Sequence, residues 1–279
     1  MCASILEISH FQKRYGTTVA VRDLSLTVEA GDIYGFIGHN GAGKTTLIRS
    51  IVGVQPIDGG SIKIAGIDVA QDPVEAKRLI AYVPDNPDVY DFMTGIQYLT
   101  FIADIFEVPV ADRQSRIEQL AGRLELTDSL SSPVSSYSHG MRQKLVVIGA
   151  LLHEPKLLVL DEPFVGLDPL ASHELKQMLH ELAARGSAVF FSSHVLEVVE
   201  KLCNKVAIIR HGELVSAGTT TEVRGDDSLE DVFLELAEDD KLPLADKQTT
   251  LSTDEPAAGQ HRSGRTEPKA ADDLPADHA

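Results

Sequence analysis

Asp32-Ile-Tyr-Gly-Phe-Ile-Gly-His-Asn-Gly-Ala-Gly-Lys-Thr-Thr46 decides how this chain is to be read. After Asp32, Ile33 to Ile37 are a continuous apolar run with β-branched and aromatic content, which predicts a strand buried on both faces. Gly38 to Thr45 then fit G-x-x-x-x-G-K-[ST], and Leu47, Ile48, Ile51 and Val52 follow at helical spacing. Strand, glycine-rich turn and helix in this order make a cradle for phosphate. Glycine lets backbone N–H groups approach an anion, and the helix N-terminus adds positive potential. The contact candidates are Gly38, His39, Asn40, Gly41, Ala42, Gly43, Lys44, Thr45 and Thr46. Lys44 supplies a point charge for the β- and γ-phosphates, and Thr45 a hydroxyl for Mg²⁺. The chain is therefore expected to bind a nucleotide.

Working outward, three more apolar runs each end in polar residues: Leu157-Leu-Val-Leu160 before Asp161-Glu-Pro163, Ala188-Val-Phe-Phe191 before Ser192-Ser-His194, and Val206-Ala-Ile-Ile209. With amphipathic helical stretches between them they predict an α/β protein built on a sheet buried on both faces. Ligand sites of such sheets lie at the carboxyl ends of the strands, where Asp161 and Glu162 stand. Asp161 is placed to hold the Mg²⁺ shell and Glu162 to polarise a water. Leu24–Glu29 and Ser61–Ile67 read as short antiparallel strands, with turns at Ala30-Gly31 and Asp58-Gly-Gly60, and residues 88–150 read as mainly helical.

Of the 279 residues, 43% are hydrophobic, enough for a folded core, and the net charge is −17, which opposes nonspecific attraction to nucleic acid or anionic lipid. Leu145-Val-Val-Ile-Gly-Ala-Leu-Leu152 is the longest aliphatic run, far short of the roughly 20 residues that span a bilayer. The first residues, Met1-Cys-Ala-Ser-Ile-Leu-Glu-Ile8, lack the basic and apolar regions of a secretory signal, and the two cysteines, Cys2 and Cys203, make no zinc framework. A cytoplasmic chain is expected, with Cys203 as a small buried residue. Leu229, Val232, Phe233 and Leu236 recur at helical spacing behind a Ser228/Asp231 cap. Beyond them the composition turns to Ala, Asp, Thr, Pro and Gly, which cannot offset ordering entropy. The expected division is a domain over residues 1–238 and a disordered acidic tail over 239–279.

Three further pieces carry a family resemblance: Tyr137-Ser-His-Gly-Met-Arg-Gln-Lys144, Gly166-Leu-Asp-Pro169 and Ser192-Ser-His194. In this order, with the phosphate loop and the Asp161-Glu162 pair, they resemble the ATP-binding domain of an ABC transporter, over about residues 5–233. The resemblance implies a RecA-like P-loop core with an antiparallel β subdomain and a helical subdomain. It implies head-to-tail pairing, as a homodimer or heterodimer, with two ATP molecules between the phosphate loop of one protomer and the signature motif of the other. It also implies a separate transmembrane permease, which would hold the chain at the inner face of the cell membrane, and a cycle of ATP hydrolysis driven with Mg²⁺. Position by position, Tyr15 resembles the aromatic that stacks on adenine; a packed or surface tyrosine is the other reading. Ser138 and Gly140 match the signature serine and second glycine, while Tyr137, His139 and Met141 depart from the LSGGQ pattern. His194 resembles the switch histidine at the γ-phosphate, and Asp168 the aspartate that couples the paired sites or a turn former before Pro169. Within Tyr82-Val-Pro-Asp-Asn-Pro87 the family has a Gln that touches Mg²⁺. Here the residue is Asp85, either a contact to the ion or its water, or a turn residue held by Pro84 and Pro87. The Tyr-Ser-x-Gly-Met-Arg-Gln-Lys signature and the ending Ser228-Leu-Glu-Asp-Val-Phe-Leu234 look most like export-type members. Soluble members that act on ribosomes or DNA usually carry a second ATPase domain or a long coiled-coil insertion, and this chain has neither.

Overall fold

A computed structural model describes residues 3–238; Cys2 and the tail expected from residue 239 lie outside the described residues. In chain order the strands are β1 (Ser4–Tyr15), β2 (Thr18–Glu29), β3 (Ile33–Ile37), β4 (Gly59–Ile64), β5 (Ile67–Asp68), β6 (Ile80–Val83), β7 (Leu157–Asp161), β8 (Ala188–Ser193), β9 (Lys205–Arg210) and β10 (Glu213–Thr219). The helices are α1 (Lys44–Ile51), α2 (Pro73–Arg78), α3 (Gly95–Ile105), α4 (Val110–Arg123), α5 (His139–Leu151), α6 (Pro169–Ala184), α7 (Leu196–Leu202), α8 (Thr220–Arg224) and α9 (Leu229–Glu238). None of the helices among the described residues is long and apolar enough to cross a membrane.

The strands form one sheet in the order β5-β4-β1-β2-β10-β9-β3-β8-β7-β6. Strands β9, β3, β8, β7 and β6 run parallel to one another, β5, β4, β1 and β2 are antiparallel to one another, and β10 between the two groups pairs antiparallel with β9 and parallel with β2. Every residue of β3, β7 and β8 is buried. Because side chains alternate, Leu157, Val159 and Phe190 join a core with β1, β2, β4 and α1, whereas Leu158, Leu160 and Phe191 join a second core under α3 to α7 and α9. That two-sided burial is the reason the parallel strands read as unbroken apolar runs. The four runs quoted above are β3, β7, β8 and β9, and residues 95–151 hold α3, α4 and α5.

The antiparallel part differs from the sequence reading. The strand expected from Leu24 begins at Thr18, and the one expected from Ser61 begins at Gly59. Gly59 and Gly60 are not a turn: they open β4 opposite an irregular register between Ser9 and Gln12. Gly60 sits at φ +77°, and a Cβ there would lie 2.3 Å from the carbonyl oxygens of Ser9 and His10. The glycine serves close backbone approach at a bulge. Tyr15 is the last residue of β1, three residues before β2 begins. Cys203 is buried as expected, and burial pushes its thiol well above the usual range.

Candidate functional site

Three neighbouring parallel strands deliver the site. β3 ends at Ile37 and runs into the glycine loop, β8 ends at Ser193 before His194, and β7 ends at Asp161 before Glu162. Sheet pairing puts Asp161 opposite Ser192, so the serine donates from Oγ to Asp161 Oδ1. The other carboxylate oxygen accepts from Thr45 Oγ1 at 3.4 Å. Burial holds the Asp161 carboxyl above its ordinary range, with Asp85 and Glu162 adding repulsion. Lys44 is buried at the first position of α1 and donates to the carbonyl oxygens of Gly38 and His39. Desolvation lowers its pKa, partly opposed by the pull of Glu162 and Asp161. These loop carbonyls satisfy the buried ammonium.

Glu162 adopts φ +50°, a sparsely populated conformation for a residue with a Cβ. Its N–H donates to Ser192 O at 3.2 Å, and its carboxylate takes Nδ1 of His194 at 2.9 Å and the His194 N–H at 3.4 Å. The pair faces outward unevenly, with His194 61% exposed and Glu162 18%. A cavity of about 250 Å³ is lined by His39, Asn40, Gly41, Gly43, Lys44, Thr45, Thr46, Asp85, Asp161 and Glu162, with Ala20 from β2. A second, of about 270 Å³, is bounded by Ile37, Gly38, His39, Asn40, His194, Leu196 and Phe233 of α9. Gly38 and Ala42 complete the loop, and both the Ala42 N–H and the Ala42 carbonyl bond within it or to Gly212. Asp85 thus shares a wall with the two other acids, while its Oδ1 accepts from the N–H of Asn86 at 2.9 Å as a turn former does.

The donor set suits Mg²⁺: a hydroxyl and a carboxylate on one cavity, with hard oxygens and surplus negative charge. Among the described residues no group of three or more His, Cys, Asp or Glu forms a metal cage.

The remaining expected residues lie elsewhere on the chain. Ser138 caps α5, accepting from the Met141 N–H at 3.3 Å, and Asp168 caps α6, accepting from the Ala171 N–H at 2.8 Å. Tyr15 does not line the loop cavity; it ends β1, 49% exposed. The first turn of α5 rests on the loop that follows Glu162. A Cβ on Gly140 would lie 2.6 Å from Gly166 O, and the His139 ring covers Gly166. Gln143, fully buried, reaches Pro163 O at 3.5 Å, and Lys144 pairs with Asp168 at 2.8 Å. This grip was missed in the sequence, as was Ser192, although its place beside Ser193 and His194 at a strand end was a usable signal.

Comparison with known proteins agrees with this geometry. A family model described as ABC transporter matches residues 21–165. EcsA of Bacillus subtilis, an ABC-type transporter ATP-binding protein, is 33% identical over 85% of this chain and 98% of its own. The ABC transporter ATP-binding protein NatA of the same organism is 34% identical over 80% of this chain and 91% of its own. A solved ATP-binding subunit of an ABC transporter superposes with a TM-score of 0.81 at 33% identity, covering 84% of this chain and 99% of that one. Loop, acid pair, histidine and likeness together lead to one conclusion: the chain belongs to the ABC transporter family, as an ATP-binding subunit that hydrolyses ATP to power transport.

Proposed function

We propose that this subunit hydrolyses ATP with Glu162 as base and drives outward transport through a separate transmembrane permease. Subunits of this family work with permease components, which would hold the chain at the inner face of the cell membrane. The observation that carries the reading is the convergence of Lys44, Thr45, Asp161, Glu162 and His194 at the carboxyl edge of β3, β8 and β7. Lys44 leaves its loop carbonyls for the γ-phosphate, while the N–H groups of residues 41–46 surround the β-phosphate. Glu162 accepts a proton from water as the water oxygen bonds to the γ-phosphorus and the bond to the leaving ADP oxygen breaks. His194, its ring fixed through Nδ1 by Glu162, presents Nε2 toward the γ-phosphate. Thr45 and Asp161, with Asp85 beside them, would hold Mg²⁺, which would screen the phosphate charge. Ser138 and Gly140 complete the site of a second copy or a related chain, at the N-terminus of α5, and Asp168 lies between the two sites. The working domain is residues 1–238, with 239–279 as an appended tail. The signature form supports export; the likeness to a bacitracin transport ATP-binding protein of Bacillus licheniformis, 36% identical over 76% of this chain and 69% of its own, supports a role in transport.

Glu162→Gln tests the reading. Hydrolysis should fall about 100-fold or more, the scale of a lost general base, while ATP binding persists. Size-exclusion chromatography should then resolve an ATP-dependent dimer that ADP does not support. Wild-type turnover in the variant removes Glu162 from the chemistry; an inactive variant that stays monomeric with ATP points to a different partner chain.

A further inference from the structure

Gln55 lies beyond α1, forty residues after Tyr15, yet the two side chains meet. Tyr15 Oη donates to Gln55 Oε1 at 2.6 Å. The same amide donates from Nε2 to Thr46 O at 2.7 Å and to Ser50 Oγ at 3.0 Å. Thr46 belongs to the first turn of α1, next to Lys44 and Thr45. An amide nitrogen facing a carbonyl fixes which way round Gln55 sits, so its oxygen is committed to the tyrosine. The link is reinforced on either side. Asp58 N–H donates to Gln12 O at 3.1 Å, Lys13 Nζ to Pro56 O at 2.8 Å and to Asp58 Oδ1 at 2.9 Å, and Arg14 N–H to Asp58 Oδ2 at 2.8 Å. Each residue from Gln12 to Tyr15 is therefore tied to the segment that leaves α1. About half of Tyr15 remains open to solvent, with Lys13 Nζ 5.7 Å from its ring centroid.

We propose that Gln55 is a positioning residue for the nucleotide base: it holds the Tyr15 ring at a set place relative to the helix turn that takes the phosphates. The proposal rests on Tyr15 being the base platform. A side chain free to swing would have to be ordered by the nucleotide at an entropic cost, whereas a tethered ring offers its face already placed. The tether acts on a ligand that has both a base and phosphates, and it leaves recognition of the phosphates alone untouched.

The test compares full-length Gln55→Leu, Tyr15→Phe, Tyr15→Ala and the Gln55→Leu/Tyr15→Phe double variant. Readouts are kcat and KM for ATP and the inhibition constant of Mg²⁺–inorganic triphosphate, which lacks a base. Gln55→Leu and Tyr15→Phe should each raise KM for ATP by about two- to tenfold, the worth of one hydrogen bond, with kcat within about twofold. Triphosphate inhibition should not move, and the double variant should be no worse than either single change. Tyr15→Phe removes one oxygen, so it reports even if Gln55→Leu folds poorly. An unchanged KM in Gln55→Leu and Tyr15→Phe, with a raised KM in Tyr15→Ala, overturns the proposal and leaves the base platform standing. A parallel loss of triphosphate binding in Gln55→Leu overturns it too, because Gln55 would then be supporting α1. An unchanged KM in Tyr15→Ala overturns the base platform and the proposal with it.

Discussion

His153 shows how one residue can hold a protonation state through packing alone. Its ring lies nearly parallel to Phe106, with centroids 3.7 Å apart, and Nε2 meets Ile80 O at 3.3 Å, so Nε2 carries the hydrogen. Nδ1 is buried without a partner, where a second N–H would be left unsatisfied. Burial accordingly pushes the imidazole pKa down from 6.5 to about 4, with the bond to Ile80 acting in the opposite direction. The folded value is depressed, so the unfolded chain binds the extra proton first. The His153 contribution is fully present above pH 6.5 and is lost as pH falls toward 4. Thermal unfolding across that window should fall less steeply for His153→Phe, which keeps the stack and removes the titration. Parallel curves for the variant and the wild type would exclude His153 as a source of acid sensitivity.

Helix α9 makes the same point for an element. Leu229 is fully buried, its N–H donates to Glu200 Oε2 at 3.2 Å, and Arg210 donates to Leu236 O. The expected Ser228/Asp231 cap is formed, with the Asp231 N–H donating to Ser228 Oγ at 3.1 Å. Because Phe233 shares a cavity with His194 and His39, α9 supports the site as well as the core. Ending the chain after Glu238 should leave turnover within about twofold and the melting midpoint unchanged. Ending it after Asp227 should lower the midpoint by about 5–10 °C, from roughly 2–3 kcal/mol of lost apolar burial, and reduce turnover. Equal behaviour of the two truncations in calorimetry and ATPase assay would deny α9 a supporting role. The cap and apolar spacing made this helix legible in the sequence, just as two-sided burial made β3, β7, β8 and β9 legible. Strand β1 was not. Its register shifts between Ile8 and Phe11 and again before Lys13, so the alternation of apolar residues loses phase, and Lys13 is buried where a strand pattern expects carbon. The loop, the acid pair and His194 were legible because each follows a strand directly. Gln55 and the grip of α5 on residues 163–168 were not, because their partners are set only by the folded chain.

On the scale of the whole molecule, β2 and β10 join the antiparallel strands to the parallel ones through a single pairing, Glu213 with Asp23. Around it lie Arg22 N–H to Gly212 O at 3.0 Å, Gly212 N–H to Ala42 O at 3.0 Å, and a surface pair of Arg22 and Glu213 at 3.3 Å. Ala42 is in the phosphate loop, so the junction runs past the nucleotide site. Hydrogen exchange at Arg22 and Gly212 should slow when ATP binds, measured on peptides covering residues 18–23 and 210–214. Protection of the glycine loop without any change at those amides would separate the junction from the ligand. The mechanical consequence follows from where the two ends of the ligand sit. Tyr15 belongs to the antiparallel strands and Lys44 to the parallel side, so a nucleotide that touches both crosses the line where the sheet is joined by one residue pair. Its arrival should raise the bending stiffness there, and because ADP keeps both the base and the β-phosphate, that stiffness should return to its resting value on release of ADP.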